Sequence, residues 1–376
     1  MENIIKISFV GDLMCEMEQN KIAHLKDDIY NYDSVLENVR DYLNDCDYLV
    51  GNLETPIAGK KLVYTNHIWS FNTPKGYVEA LKNNGFNLLT TANNHCLDRG
   101  VTGLIKTIDS LDSIGIEHTG TYKNINEEKY LIKDIGGIKI AFFSYTYGTN
   151  AAFNKQYLNK NEMGLVNLFQ PQEIECSKYN IKQRLKRKIN NKYKYKKYLS
   201  LLENDIKKIK NNVDLIVMCM HSGGQHNLEP EEYTKNLVEK LFKMGINVIV
   251  GCHPHVIHQM EWRNNKKLVA YSLGNFICTP GTSSSPLDKM SDYSIKLNLF
   301  LEKSNNGVDI KKVSFNIMKS LCDKYKDTRI YLLSDLIEKN KSSDNIDILI
   351  EDNNIVYGKF TGKDIKTTVK KEYILE

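Results

Sequence analysis

The sequence predicts an α/β protein built as a sandwich of two β-sheets with helices on the outside. Three observations predict it. Five short apolar runs each end on a polar residue able to bind a metal, helical patterns separate most of those runs, and later segments read as strand pairs without a helix between them. Open α/β sheets bind ligands beyond the carboxyl ends of their strands, so the first observation bears on function as well as on fold.

Ile4–Val10 reads as the first strand and delivers Gly11-Asp12. A helix over Ser34–Leu43 leads to the strand Tyr48–Val50, which runs into Gly51-Asn52-Leu53-Glu54. A second helix, Pro74–Asn83, precedes the strand Asn87–Thr91 with its following Ala92-Asn93-Asn94-His95; a third, Val101–Ile114, comes next. Tyr130–Ile135 and Ile138–Tyr145 flank Gly136-Gly137 and read as a hairpin. Val213–Met220 ends on His221, Glu231–Met244 is helical, and Ile246–Val250 runs into Gly251-Cys252-His253-Pro254-His255. That strand–helix–strand implies a parallel, right-handed crossover. Pro254 fixes its own φ and keeps both histidines out of a helix, which presents two imidazoles in extended geometry. Leu268–Ile277 and Ser294–Phe315 read as further strands, the latter pair turning at Asn305-Asn306-Gly307. Beyond Leu321 the pattern gives a helix over Ile330–Lys339, a polar linker at Ser342–Asn345 and short strand-like pieces.

A chain of 376 residues can bury a large core. No apolar run approaches the roughly 18 residues needed to span a bilayer, and no signal-peptide pattern opens the sequence, so a cytoplasmic location is expected. The eight cysteines lack C-x-x-C spacing, and the expectation is of small buried side chains in a reducing compartment. The net charge of +5 hides an asymmetry. Lys178–Lys210 holds thirteen Lys and Arg against two acids, which leaves the remainder of the chain acidic. Ile181, Leu185, Ile189, Leu199, Leu202, Ile206 and Ile209 recur there at helical spacing, with a break expected near Asn190-Asn191. The segment is read as a solvated helical face, with a basic arm that attracts a polyanion or a membrane surface as the alternative; no nucleic-acid motif accompanies the charge, so nucleic acid is not an expected partner.

Asp12, Glu54, Asn94, His221, His253 and His255 offer borderline oxygen and nitrogen donors, suited to two divalent ions drawn from Mn, Zn, Fe or Mg. A bridging carboxylate holds such ions ~3.5–4 Å apart, where they polarise a phosphoryl oxygen. His95, one residue past Asn94, is placed to act as general acid toward a leaving oxygen.

Several stretches resemble the CapA family, the capsule-synthesis group associated with poly-γ-glutamate and related to calcineurin-like metallophosphoesterases. They are Gly11-Asp12-Leu13-Met14, Gly51-Asn52-Leu53-Glu54-Thr55-Pro56, Ala92-Asn93-Asn94-His95 with Asp98 and Gly100, His221-Ser222-Gly223, Gly251-Cys252-His253-Pro254-His255-Val256 with Gln259, and Ser272-Leu273-Gly274-Asn275-Phe276. The resemblance implies a four-layer α/β/β/α metallophosphatase-like sandwich over residues 1–320, with a basic helical insertion at about 171–210 and a C-terminal extension over 321–376. It implies Asp12 and His255 on one metal, Asn94, His221 and His253 on the other, and Glu54 between them. Asn52, Asn275 and Gln225 are the expected substrate contacts. The sequence departs from the family where Met14 replaces a histidine, which implies a weaker hold on one metal, and where Ser222, Gly223, Gln225 and His226 follow His221. The implied function is a metal-dependent hydrolase, first of a phosphoester on an anionic small molecule or polymer. The alternatives are hydrolysis of a γ-glutamyl bond and a non-catalytic factor that binds an anionic polymer.

Overall fold

The computed structural model describes residues 4–172, 181–305, 307–341, 346–364 and 366–375, with the backbone alone for 181–194. In chain order it lays down β1 (Ile4–Leu13), a short ribbon of β2 (His24–Lys26) and β3 (Ile29–Tyr30), then β4 (Tyr48–Leu53), β5 (Leu88–Thr90) and β6 (Glu117–Thr119). The hairpin of β7 (Leu131–Ile135) and β8 (Ile138–Thr146) follows, then β9 (Leu215–His221), β10 (Val248–Cys252), β11 (Met260–Asn264) and β12 (Lys267–Ala270). β13 (Asn275–Ile277), β14 (Tyr293–Ser304), β15 (Gly307–Cys322), β16 (Thr328–Leu332) and β17 (Tyr373–Leu375) complete the strands among the described residues.

These strands form two main sheets. One has the order β16-β15-β14-β1-β4-β5-β6, with β13 also on β1 and β17 also on β15; the other is β11-β12-β10-β9-β8-β7. β1, β4, β5 and β6 run parallel, as do β8, β9, β10 and β12. Alternation along each strand then sets the layers. Ile5, Ile7, Phe9, Val50 and Leu88 of the first sheet share a core with Ile140, Phe142, Val217, Val248 and Leu268 of the second. Leu49 and Leu89 point the other way, onto Tyr77, Val78 and Leu81 of the helix Gly76–Asn83 and Leu111 of the helix Gly100–Ile114. Phe143, Met218, Ile249 and Val269 likewise meet Leu237, Val238 and Leu241 of the helix Glu232–Met244 and Leu199, Leu202 and Ile206 of the helix Ile181–Ile209. The result is the expected four layers, α/β/β/α.

Several local expectations differ from what is found. Ser34–Leu43 holds two short helices, Asp33–Leu36 and Arg40–Asn44, because Val39 leaves helical dihedrals (φ −122, ψ 3) and is fully buried. Leu268–Ile277 splits into β12 and β13, which lie in different sheets, so the chain crosses the sandwich between them. Met260–Asn264 is an additional strand, antiparallel to β12. Thr328–Leu332 is extended rather than helical, since pairing with β15 outweighs local preference; the helix begins only at Leu333. Beyond the linker the structure has a helix, Ile346–Thr361, that was not expected, whose Val356, Tyr357 and Phe360 join the core, and one short strand, β17, as expected. β16 and β17 both pair with β15, so residues 321–376 contribute strands to the first sheet.

The helix Ile181–Ile209 continues through Asn190-Asn191 without the expected break. Lys178, the side chains from Ile181 to Lys194, Asn306 and the linker at Ser342–Asn345 lie outside the described residues. No helix among the described residues is long and apolar enough to cross a membrane.

Candidate metal centre

Asp12 is aimed by an irregularity in its strand. The β1–β4 register shifts between Phe9 and Asp12, and such bulges re-aim side chains next to functional sites. Gly11 makes the approach possible: a Cβ there would collide with the Gly274 carbonyl oxygen. Gly251 is bound in the same way by the Tyr271 carbonyl oxygen, which draws the end of β10 against the crossing segment 271–274. The crossing therefore brings the carboxyl ends of strands from both sheets together.

Six predicted ligands meet there, all of them buried: Asp12, Glu54, Asn94, His221, His253 and His255. Asp12 Oδ2 accepts the His253 backbone N–H at 3.1 Å and lies 3.2 Å from His255 Nδ1, while its Oδ1 accepts Asn52 Nδ2 at 2.7 Å. Burial pushes the Asp12 carboxyl up, but His255, His221 and the Asn52 amide outweigh it and hold the group well below the usual carboxylate range. His221 Nε2 sits 2.6 Å from Asn94 Oδ1 and 3.5 Å from Glu54 Oε1. Burial lowers its pKa to about 3. Burial likewise drives His253 well down, with His221 and His255 adding to the effect. Both imidazoles are therefore neutral, the form that binds metal.

Glu54 occupies the middle. Its Oε1 is 3.5 Å from His221 Nε2 and 3.8 Å from His255 Nε2, yet neither carboxylate oxygen has a hydrogen-bond partner among the described residues. His253 Nδ1 and His255 Nε2 are also buried without one. Four orphaned polar atoms in one fully buried cluster are costly unless something else satisfies them. Burial, with the neighbouring Asp12, pushes the Glu54 carboxyl well up, so it lacks a counter-charge. The donor set fits divalent ions. Two groups of ligand atoms lie within 4.8 Å of one another, Glu54 with His253 and His255, and Asp12 with Glu54 and His221. Glu54 is common to both, as a bridging ligand would be. Those groups pair His253 with His255 and Asp12 with His221, a different partition from the one the resemblance implied. His253 and His255 have positive φ, 101 and 59, backbone that costs about 1–3 kcal/mol each and is held by the surrounding contacts.

His95 lies beside this cluster. Its Nδ1 is 2.7 Å from Asp98 Oδ2, and its ring meets Phe71 edge-on at 4.5 Å. A carboxylate can only accept, so Nδ1 carries the hydrogen and Nε2 is the reactive nitrogen. Asp98 accepts further from the Phe71 N–H (2.7 Å) and from Asn154 Nδ2 (2.6 Å).

The three expected substrate contacts are placed differently. Asn52 spends its amide on Asp12 and His221, and its Oδ1 receives Thr90 and Asn93. Asn275 accepts from or faces His255 Nδ1 at 2.7 Å and donates to the carbonyls of Ser284 and Ser291. Both asparagines are saturated behind the ligands and orient them. Gln225 is exposed and makes no hydrogen bond among the described residues. The sequence marked His226 only as a departure from the family and gave it no role; its ring is 5.7 Å from His255 and its Nδ1 is buried without a hydrogen-bond partner among the described residues. No periodicity marks that loop. The role of Asp98 was readable, since it follows His95 by three residues.

The profile of the bacterial capsule synthesis protein PGA_cap matches residues 6–280. The PGA biosynthesis protein CapA of Bacillus subtilis (strain 168) is 25% identical over 300 residues, 79% of this chain and 69% of that protein. The capsule biosynthesis protein CapA of Bacillus anthracis is 25% identical over 298 residues, 78% of this chain and 64% of that protein. The chain thus spans about two thirds of the length of these relatives. Among solved structures, the sulfate thiohydrolase SoxB of Thermus thermophilus in complex with glycerol is similar with a TM-score of 0.39 at 12% identity, over 80% of this chain and 43% of that one.

Proposed function

The chain belongs to the PGA_cap family of bacterial capsule synthesis proteins, and from that membership and its donor set we propose that it is a metal-dependent hydrolase of phosphoesters. The observation that carries the reading is Glu54, a fully buried carboxylate shared by two ligand groups and left without a hydrogen-bond partner among the described residues. Asp12, Glu54, Asn94, His221, His253 and His255 would hold the ions, Mn, Zn, Fe or Mg. A bound pair supplies Lewis acidity toward a phosphoryl oxygen and toward water.

The chain's own residues do the rest. Asn52 and Asn275 fix Asp12 and His255 from behind, so the ligand atoms are set before substrate arrives. His95 gives a proton from Nε2 to the leaving oxygen, and Asp98 stabilises the imidazolium through Nδ1. The buried surroundings exclude bulk water, which strengthens each of these interactions.

The test is elemental analysis of the full chain purified without chelator, followed by a phosphoester screen with each of the four metals added. About two equivalents of metal and turnover of at least one ester are expected. A metal-free protein that takes up no added ion would overturn the reading. A second reading draws on the relatives, which are named for biosynthesis rather than hydrolysis. In it the chain is a non-catalytic factor that binds an anionic polymer, or it cleaves a γ-glutamyl bond. Metal uptake without phosphoester turnover, joined to polymer binding or γ-glutamyl cleavage, moves that reading ahead.

A further inference from the structure

The segment that follows His221 is stitched along the ligand loop of β10. Ser222 donates its N–H to the Cys252 carbonyl (3.1 Å), and His226 donates its own to the Pro254 carbonyl (2.8 Å). Gly223 comes so close to the Pro254 ring that a Cβ there would lie 3.2 Å from it. His258 Nε2 gives its hydrogen to the Asn227 carbonyl at 2.7 Å. His226 is thereby set beside His255, with ring centres 5.7 Å apart. Its φ of 59 is left-handed, as are those of His253 and His255, so contacts hold all three histidines in a costly backbone.

Two successive carbonyls fix which nitrogen carries the hydrogen in two of these rings. A carbonyl oxygen only accepts, so the Ser283 oxygen, 3.2 Å from His226 Nε2, places the hydrogen on that nitrogen. The Ser284 carbonyl accepts from Asn275 Nδ2, which turns Asn275 Oδ1 toward His255 Nδ1 at 2.7 Å. His255 therefore has a bare Nε2, and His226 a bare Nδ1. Both are buried without a hydrogen-bond partner among the described residues. His255 is in a ligand group, but His226 is in neither. An imidazolium is disfavoured beside a divalent ion, so in the loaded protein this ring is neutral and its Nδ1 can only accept.

The neighbouring ligand group has the complementary need. Glu54, His253 and His255 offer one ligand atom each, whereas the expected metals take about four to six ligands. Water oxygen makes up such a shortfall, and its hydrogens in turn require acceptors. We propose that His226 is a positioning residue whose Nδ1 accepts a hydrogen from the water that completes the Glu54, His253 and His255 group. The proposal rests on the metal-centre reading and deepens it. His95 follows the ligand Asn94 and His226 adjoins the ligand His255, so a hydrogen donor and an acceptor stand next to different ligands.

Labelling the histidines of the full chain with nitrogen-15 lets NMR read both ring nitrogens, and the signals missing from His226→Asn assign them. In zinc-loaded protein, His226 Nε2 is expected to carry the hydrogen and Nδ1 to show the shift of an accepting nitrogen. Chelation should return Nδ1 to the shift of a free lone pair and leave Nε2 as it was. A hydrogen on Nδ1, or an Nδ1 shift indifferent to bound zinc, overturns the proposal and leaves the metal centre standing. Zinc affinity, measured by competition with a chelator, gives the second readout. Glycine adopts a left-handed φ freely and removes the acceptor; asparagine tolerates that φ and supplies Oδ1 near the position of Nδ1. His226→Gly should weaken zinc binding about tenfold, and His226→Asn should recover most of the loss. Equal affinities in wild type and His226→Gly overturn the role, as does a loss that asparagine fails to recover. No zinc uptake by the wild type overturns the metal centre and this proposal together.

Discussion

On one face of β14, Lys296 and Asn298 join Ser8, Ser314 and Asn316 in a buried polar network, while at the ends of β1 and β4 an equally buried cluster holds Asp12, Glu54, His253 and His255. In the network Asn298 Oδ1 receives Ser8 (2.7 Å) and Lys296 (2.8 Å), and its Nδ2 serves Ser314 and Asn316. Glu372 accepts from Ser314, and Asn316 donates to the Lys371 carbonyl. No side-chain atom of these residues is orphaned; in the cluster, four are. A buried polar group whose partners are all internal holds the fold together. One whose partners are missing marks a place where a ligand completes the structure.

The largest effect is expected at His95. His95→Ala should cut turnover by ~10²–10⁴ while metal content, measured by elemental analysis, stays at the wild-type level. Loss of metal in that variant would make the histidine a ligand.

Next come the two clusters themselves, compared by urea denaturation with and without metal. Asn298→Ala strands several partners at once and should cost about 3 kcal/mol in both conditions. Glu54→Gln should do the reverse in chelated protein, stabilising it by about 1–3 kcal/mol because an unpaired buried carboxylate is removed. The same substitution should abolish the stabilisation that metal gives the wild type. Equal losses in the two variants would erase the distinction drawn between the regions.

The clusters should also titrate in separate windows. His221 has its pKa lowered by burial from 6.5 to about 3, so the unfolded chain binds more protons between those values. Stability of the chelated protein therefore falls as pH drops from 6.5 toward 3. His253 adds to the fall, and Asp12, also lowered, adds below its ordinary 3.8. Glu54 is raised and works in the opposite direction, its contribution being lost as pH rises. Burial lowers Lys296 in the network from 10.5 to about 8, so the same slope recurs between pH 10.5 and 8. Asn52→Ala should disturb the acid window only, and Ser314→Ala the alkaline one only, both read from Tm against pH.

The smallest effect is expected in the basic helix. Its described half packs Leu199, Leu202 and Ile206 on the second sheet. Replacing Arg184, Lys186, Arg187 and Lys188 with glutamine should leave kcat and KM for a small phosphoester unchanged. A change in kcat would mean that the segment shapes the site.

Much of this was legible because a strand end is a local event. Asp12, Glu54, Asn94, His221, His253 and His255 each follow an apolar run, and the sheet does the work of gathering them. The supporting roles were not. Asn52 and Asn275 stand in the same motifs as ligands, and only the direction of their amides separates an orienting group from a substrate contact. Glu54's position between two ligand groups came from the family resemblance alone, because it depends on two sheets packing face to face, which no spacing encodes. The helix Ile346–Thr361 was hidden by its β-branched residues, whose burial against the core outweighs their preference for strands.

Asp98 ties three things to one carboxylate: the His95 ring, the Phe71 backbone and the Asn154 amide. Two surface loops, the one carrying His67 and Trp69 and the turn Ala151–Asn154, are thereby anchored to the same anion. They also touch each other through Trp69 and Phe153. The consequence is thermodynamic linkage. Whatever fixes these loops also fixes the imidazole, and whatever fixes the imidazole tightens the loops by the same free energy. Sequence drift in either loop is then constrained from the inside, because a turn that no longer reaches Asp98 leaves a buried carboxylate one donor short.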